Sequence, residues 1–342
     1  MRAFCLALSA LALSGCETLS YYGQAVGGHF ALVGSAPSVA KLLADPATAP
    51  ALKARLELSV AIRDYASREL KLPDNGSYRS YADIGRPFAV WNVVAAPEFS
   101  LRAVQSCFPV AGCVTYRGFY DRAAAERHAR EMRGMGHDVV VYGVAAYSTL
   151  GWFDDPLLST FIGYPDADLA RMVCHELAHQ LVYAKGDSTF NESFAVAVER
   201  EGVRRWLGAR GQQGDLAGIR QQEMRRADFA ARLDAVRTAL GTLYGSGLAP
   251  EAMRARKRVE LAALQPLLAR MPAFEGQEPN NALLASYATY TDLVPVFDKL
   301  LSEAAGDLPA FYAKAKAFAQ ERASRPGATG PSSPDPSSTR RP

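Results

Sequence analysis

The spacing of hydrophobic residues predicts helices near the start of the chain. From Ser38 to Leu72, apolar side chains recur at intervals of three or four residues and their multiples, the period of a helix with one buried face. Proline-containing breaks at residues 45–46 and 49–50 divide this pattern, and a turn-forming run at residues 73–76 ends it. A short helix and a longer one are therefore expected before residue 73.

Residues 78–147 have the pattern of strands instead. Runs rich in Val and aromatic residues predict strands at 88–95, 114–120 and 138–144. The interval from Asp121 to Met135 is rich in Ala, Arg and Glu, and its leading Asp is a good N-cap residue, which indicates a helix. A β-α-β arrangement follows from this order.

The interval at 147–164 is loop-like, yet it is rich in apolar and aromatic side chains. Both a buried core connection and a wall of a substrate-binding site explain that composition. After it, an acidic start and helical spacing predict a helix from Asp166 to Gly186, and a second helix is predicted from Asn191 to Trp206 or Leu207. A short polar link would join these two helices.

The rest of the chain is predicted to be mostly helical. The segment at 208–271 has helical spacing interrupted at 244–250, which indicates a helical hairpin. A loop at 272–281 and two more helices within 283–318 are expected to follow. Residues 321–342 are rich in Ser, Pro and Gly and lack core-forming side chains, so they are predicted to be a disordered tail. The fold class expected from all these elements is α+β.

Composition limits the function. The 342 residues are 49% hydrophobic and 21% charged, which is typical of a globular protein with a large core. The formal net charge is only +3, and no run of Lys and Arg alternates with aromatic residues. Nucleic-acid binding is therefore not expected.

The N-terminus has the pattern of a signal peptide. A short basic start precedes an apolar run from Ala3 to Leu13, which is too short to span a bilayer. The following Leu-Ser-Gly-Cys sequence resembles the lipobox of bacterial lipoproteins, and this resemblance implies cleavage before Cys16 and acylation of its thiol. Glu17 is not the Asp of an inner-membrane retention signal, so outer-membrane attachment is slightly favoured. An ordinary secretory signal with an incidental cysteine is the alternative.

The other cysteines are consistent with an oxidising compartment. Cys107 and Cys113 could close a small loop through a disulfide, and two free, partly buried thiols are the alternative. Cys174 precedes His175 and faces roughly 100° away on a helix, which favours a core position over a role as a ligand.

The main candidate for chemistry is the segment Cys174 to Gln180, which contains an H-E-x-x-H motif. On a helix, His175 and His179 lie one turn apart on the same face, where two ring nitrogens can bind one Zn²⁺, and Glu176 lies beside them. The alternative is an ordinary helix with two histidines that are satisfied by other partners.

A catalytic zinc usually has three protein ligands, and Glu192 is the predicted third because it begins the next helix. Two alternatives remain open. Thr189 and Glu192 also have the spacing of a capping box, in which Glu192 would only bind a backbone N–H group. Glu199 lies two turns further on the same face, where it could hold a histidine N–H group or replace Glu192 as the ligand.

Such a site predicts the hydrolysis of an amide bond. The zinc would lower the pKa of a bound water towards about 7, and Glu176 would act as the general base. A Tyr or His donor is also needed to stabilise the oxyanion. Tyr183, Tyr287 and Tyr290 are candidates by residue type alone, and a packing role is the alternative for each of them.

The motif followed by Asn191-Glu192 resembles the gluzincin branch of zinc metallopeptidases. Together with the lipobox, the segment between Cys107 and Cys113, residues 116–119 and residues 146–156, it resembles a bacterial family of predicted zinc aminopeptidases, many of them lipoproteins. The resemblance covers most of the chain from Cys16 to about Phe318. It implies that the metal ligands are His175, His179 and Glu192, and that Glu176 is the base.

Two features depart from better-known gluzincins. The interval between His179 and Glu192 is shorter than in thermolysin-like and aminopeptidase-N-like enzymes, and no Gly-x-Met-Glu-Asn segment is present to hold the substrate amine. The carboxylates that could hold this amine are Glu98, Asp154, Asp155 and Glu199.

The sequence therefore predicts a zinc-dependent peptidase that is lipid-anchored in the bacterial envelope, faces the periplasm and acts on peptides. The expected organisation is a signal peptide at 1–15, a tether and helices at 16–77, a zincin-like core at 78–207, a helical region at 208–320 and a tail at 321–342. A non-catalytic lipoprotein scaffold with a structural metal or none is the alternative. Hydrolysis of peptidoglycan stem-peptide amides ranks lower, because no glycan-binding module or repeat is evident.

Overall fold

A computed structural model describes residues 36–108, 112–269, 274 and 276–324, without the side chains of 213–215. The predicted signal peptide and Cys16 lie outside the described residues, as does the predicted tail beyond Ser324. No helix in the described part of the chain is long and apolar enough to span a membrane.

The described residues form an α+β fold. The strands are β1 (Tyr81–Ala82), β2 (Val90–Pro97), β3 (Ser106–Phe108), β4 (Gly112–Val114), β5 (Arg117–Phe119), β6 (His137–Val144) and β7 (Leu157–Leu158). The helices are α1 (Val39–Ala44), α2 (Pro50–Arg68), α3 (Arg122–Gly134), α4 (Asp166–Leu181), α5 (Ser188–Ala209), α6 (Gln213–Tyr244), α7 (Pro250–Ala262), α8 (Gln265–Leu268), α9 (Asn281–Thr291), α10 (Val294–Glu303) and α11 (Leu308–Ser324).

A three-stranded sheet in the order β5-β2-β6 forms the β part of the core. Both outer strands are antiparallel to β2, so β5-α3-β6 is a β-α-β unit with β2 between its two strands. Side chains alternate along β2: Val93 and Ala95 pack against α3, whereas Val94 and Ala96 pack on the face that contacts Ala282 of α9. Burial on both faces explains why this strand is apolar at every position except Asn92.

The helices α4 and α5 pack against each other in the main hydrophobic core. Leu169, Val173 and Leu177 of α4 are fully buried in this core, together with Phe190 and Phe194 of α5. Since these positions repeat every three or four residues, the opposite stripe of α4 remains available for polar side chains. His175 and His179 lie on that stripe, and Glu176 lies beside it.

The structure differs from the predicted helix boundaries in several places. Helix α4 ends at Leu181 instead of Gly186, and α5 begins at Ser188 instead of Asn191. Residues 281–324 form three helices instead of two, because Ala305 and Gly306 have positive φ angles that end α10. Helix α11 also continues to Ser324, beyond the predicted start of the tail at residue 321.

The cysteines and the aromatic interval have defined positions. Cys107 and Cys113 are joined by a disulfide across the β3-β4 hairpin, and Cys174 is a buried free thiol. In the interval at 147–164, the second half contributes to the core through Leu157, Leu158 and Phe161, which are all at most 1% exposed. The first half instead exposes Trp152 and Phe153, at 71% and 47%.

Candidate metal centre

The ligand atoms of His175, His179 and Glu192 converge on one point between α4 and α5. The two Nε2 atoms are 3.2 Å apart, and Glu192 Oε2 lies 3.3 Å from that of His175 and 3.6 Å from that of His179. Ligand atoms bound tetrahedrally to zinc at about 2.0–2.2 Å are roughly 3.3–3.6 Å apart. The observed separations therefore agree with a shared metal position.

The short connection between α4 and α5 places Glu192. Asp187 is the N-cap of α5 and its side chain accepts a hydrogen bond from Phe190 N at 3.0 Å. The Asn191 amide is held on both sides by Ala184, accepting from its N at 2.7 Å and donating to its O at 2.9 Å. Glu192 consequently lies in the first turns of α5 with its carboxylate directed towards α4. The capping-box alternative for Thr189 and Glu192 is wrong, because Asp187 takes that role.

Glu199 lies behind His175. Its Oε2 is 2.8 Å from His175 Nδ1, and its Oε1 is 3.3 Å from the Arg171 guanidinium. A hydrogen bond from Nδ1–H to this carboxylate orients the ring so that Nε2 is directed towards the metal position, where it would bind the metal in its deprotonated form. Of the two roles considered for Glu199, the structure supports that of a partner holding the histidine.

Glu176 is buried beside this group, at 7% exposure. Burial raises its pKa, and the neighbouring His175 and His179 oppose this effect. For Glu192, burial would also raise the pKa, but His179 and His175 outweigh it and lower the value to about 2. One carboxylate thus favours the charged form expected of a ligand, while the other is better able to accept and return a proton.

The three predicted tyrosine candidates differ in position. Burial raises the pKa of Tyr290, and the Glu192 carboxylate adds to this increase, with a smaller effect from Glu176. Tyr183 is influenced by burial and Glu192 in the same way, which raises its pKa to about 12. Tyr287 instead has Arg226 and Asp234 as its main charged neighbours. Tyr290 and Tyr183 therefore lie near the site, whereas Tyr287 does not.

Two further tyrosines near the site are absent from the sequence candidates. Tyr116 has a pKa raised by burial and by Glu192 and Glu176, and Tyr78 has a pKa raised by burial and by Glu176. Tyr116 follows β4, in a segment that contributed to the family resemblance. Tyr78 precedes the motif by about a hundred residues and carries no sequence signal of its own.

The model of a family described as "Putative aminopeptidase" matches residues 20–328. The chain belongs to this family. No curated protein and no solved structure matches it significantly. The match spans the metal centre, the sheet and the helical region, so the residues of the site lie within the region that matches the family model.

In this aminopeptidase-family protein, the carboxylates that were candidates for binding a substrate amine occupy different environments. Glu98 pairs with Arg254 at 2.6 Å, and Glu199 is occupied by His175 and Arg171. Asp154 is exposed, whereas Asp155 is only 1% exposed. Burial raises the pKa of Asp155 to about 7.

Tyr290 also lines an apolar cavity of about 150 Å³. It is lined by Tyr142, Phe229, Leu233, Phe274, Leu283, Ser286, Tyr287 and Tyr290. Ser286 donates a hydrogen bond to the Tyr142 hydroxyl at 3.1 Å, which leaves the remaining wall almost entirely apolar. Tyr287 thus belongs to this cavity.

Proposed function

We propose that this protein is a zinc-dependent aminopeptidase. The observation that carries the proposal is the convergence of two imidazole nitrogens and a carboxylate oxygen at 3.2–3.6 Å from one another. Two His and one Glu is a ligand set used by catalytic zinc sites. Membership of the family supports peptide hydrolysis as the reaction.

When bound at this site, zinc would activate a water molecule as the nucleophile and polarise the scissile carbonyl group. The protein's own residues have separable roles. Glu176 accepts the proton of the water and returns it to the leaving nitrogen, and burial raises its pKa in the direction that this return requires. Glu199 fixes the ring of His175, and Tyr290 and Tyr183, whose pKa values burial and the Glu192 carboxylate raise, are the predicted candidates to donate to the oxyanion.

The proposal includes attachment to the bacterial envelope through lipid on Cys16, with the enzyme facing the periplasm. Support comes from the lipobox-like sequence at residues 13–16 and from the Cys107–Cys113 disulfide, which suits an oxidising compartment.

The test is the Glu176→Gln variant. It should bind one equivalent of zinc, as the wild type does, and lose at least about 100-fold in the hydrolysis of aminoacyl amides. Glu201→Gln is the matched control, since Glu201 pairs with Arg204 and Arg205 and lies outside the site. Wild-type protein without stoichiometric zinc, or undiminished turnover by Glu176→Gln, would refute the proposed function.

A further inference from the structure

We propose that Asp155 and Tyr78 form the subsite that binds the free α-ammonium group of the peptide substrate. This inference rests on the proposed function and assigns the residues that would recognise the unblocked N-terminus required by an aminopeptidase. Asp155 is selected among the candidate carboxylates because of its contacts, its burial and its hydrogen-bonded connection to the motif helix.

The carboxylate of Asp155 has an unused acceptor. Its Oδ2 accepts a hydrogen bond from Thr149 N at 2.9 Å. Its Oδ1 is buried and has no hydrogen-bond partner among the described residues. A buried carboxylate oxygen without a partner is costly, and a substrate ammonium would supply both the missing donor and the opposite charge.

A chain of hydrogen bonds connects Asp155 to the motif helix. Ser77 Oγ accepts from Asp155 N at 3.3 Å and from Gln180 Nε2 at 3.1 Å. Gln180 lies four residues after Glu176, so the two side chains share one face of α4. Asp155 is consequently linked through Ser77 to the residue that lies one helical turn after the proposed base.

Tyr78 provides a second buried polar atom without a partner among the described residues, and burial together with the Glu176 and Asp155 carboxylates raises the pKa of its hydroxyl. Its backbone N donates to Asp155 O at 2.6 Å, and its side chain is 2% exposed. Its hydroxyl has no hydrogen-bond partner in the described part of the chain, and Glu176 is its strongest charged neighbour. The hydroxyl oxygen can therefore accept a second N–H of the ammonium.

Tyr78 is held in an uncommon backbone conformation, with φ at 63°. The fully buried Arg63 fixes the preceding segment, because its guanidinium donates to Ser77 O at 2.9 Å and to Pro73 O at 2.8 Å. Left-handed conformations of bulky residues are disfavoured and tend to occur where function requires them. The chain maintains this conformation next to Glu176.

The carboxylates near Asp155 favour a cation. The charges that act most strongly on Asp155 are those of Glu176 and Asp154, and both are negative. An ammonium group would be attracted by all of these carboxylates, whereas an acylated N-terminus lacks both the charge and the extra N–H groups. The subsite therefore discriminates by the state of the N-terminus.

Access to the subsite involves the turn at residues 149–153. This turn packs on the motif helix, where the position of a Gly151 Cβ would be 3.7 Å from Gln180. Since Asp155 is 1% exposed, a substrate must displace part of this turn to reach it. Leu150 and Gly151 both have positive φ angles, and the neighbouring Trp152 is 71% exposed.

The experiment compares zinc-loaded full-length wild type with Asp155→Asn and Tyr78→Phe. The substrates are leucine p-nitroanilide and its N-acetyl derivative. The wild type should prefer the free amine, and Asp155→Asn should raise KM for that substrate by about 10- to 100-fold with a smaller change in kcat. The same substitution should affect hydrolysis of the acetylated substrate much less, so that the preference for the free amine is reduced. Tyr78→Phe should raise KM by a few fold, and Glu201→Gln, whose side chain pairs with Arg204 and Arg205 outside the site, should change it by less than about twofold.

Binding of leucinamide and N-acetyl-leucinamide, measured by calorimetry, separates the two proposals. Loss of hydrolysis in all proteins, with leucinamide binding that depends on Asp155, would refute the peptidase but keep the subsite. A wild type that treats free and acetylated compounds alike would overturn the subsite. An Asp155→Asn variant that keeps the preference for the free amine, or that binds both compounds more weakly by the same factor, would also overturn the subsite.

Discussion

Replacing Asp155 by Asn should stabilise the protein above neutral pH. Burial raises the pKa of this carboxyl from 3.8 to about 7 in the folded protein. Each pKa unit corresponds to about 1.36 kcal/mol, so the shift of roughly three units amounts to about 4 kcal/mol. Because the folded pKa is the higher one, the favourable contribution is present below the unfolded pKa of 3.8 and is lost as pH rises through 7.

The asparagine side chain has nearly the same shape and can still accept the hydrogen bond from Thr149 N, but it does not ionise. The two proteins should therefore have similar stability near pH 4. The variant should become more stable than the wild type by up to about 4 kcal/mol at pH 8, an upper limit that residual hydration would reduce.

Urea unfolding of the zinc-free proteins at several pH values between 4 and 8 measures this difference. Titration of the groups that do not interact with Asp155 is shared and cancels in the comparison. Asp154→Asn serves as the control and should show little pH-dependent difference, because that side chain is exposed. A stability difference between Asp155→Asn and wild type that stays constant with pH, or one that favours the wild type at pH 8, would refute the reasoning.

Three other substitutions test separate parts of the structure. Glu199→Ala should weaken zinc binding by about 10- to 100-fold in a chelator competition, because His175 loses the acceptor at its Nδ1. Glu201→Gln should leave zinc binding unchanged. Equal zinc affinities of Glu199→Ala and the wild type would contradict the role of Glu199 in holding His175. Arg63→Met should lower the free energy of unfolding by about 3 kcal/mol or more, because several hydrogen bonds to the segment at 73–77 are lost. A decrease of less than about 1 kcal/mol, measured by urea unfolding, would argue against this stabilising role of Arg63. Cys16→Ser should move the protein from the membrane to the soluble fraction of expressing cells, and unchanged sedimentation would exclude the lipid anchor.

Features that depend on short sequence intervals could be predicted. The pairing of His175 with His179 follows from the helical period alone. Helix α3 begins after Asp121, whose side chain accepts from Ala124 N at 2.7 Å, as its sequence indicated. The placement of Glu192 was also within reach, because the link between α4 and α5 is short.

Choices between equally good local signals could not be made from sequence. Asp187 and Thr189 are both acceptable N-cap residues, and the structure uses Asp187 because its carboxylate reaches Phe190 N. Similarly, spacing alone gave Glu199 two roles, and only the distance of 2.8 Å to His175 Nδ1 distinguishes them. In each case the deciding quantity is a distance between side chains that packing determines.

Asp155 was one of four candidate carboxylates for the substrate amine, but the sequence could not select it among them and had no sign of Tyr78. These two residues come from two separate loops. They meet because the buried Arg63 fixes one loop, while Ser77 bridges that loop to Asp155 and to Gln180 of the motif helix. Such contacts between residues far apart in sequence are a property of the tertiary fold.

Several features that lower the stability of the folded protein lie close together near Glu176. A carboxyl oxygen of Asp155 is buried without a described partner, the Tyr78 hydroxyl is also unpaired among the described residues, and Tyr78 has a left-handed backbone. Each feature lowers the free energy of unfolding by roughly 1–3 kcal/mol. Replacing Asp155 by an apolar residue would remove the destabilisation caused by its unpaired oxygen. Stability alone would not favour several such features at one place. A ligand that brings donors and positive charge relieves two of these costs at once, so their coincidence beside the proposed base is itself an argument that this corner binds an ammonium group.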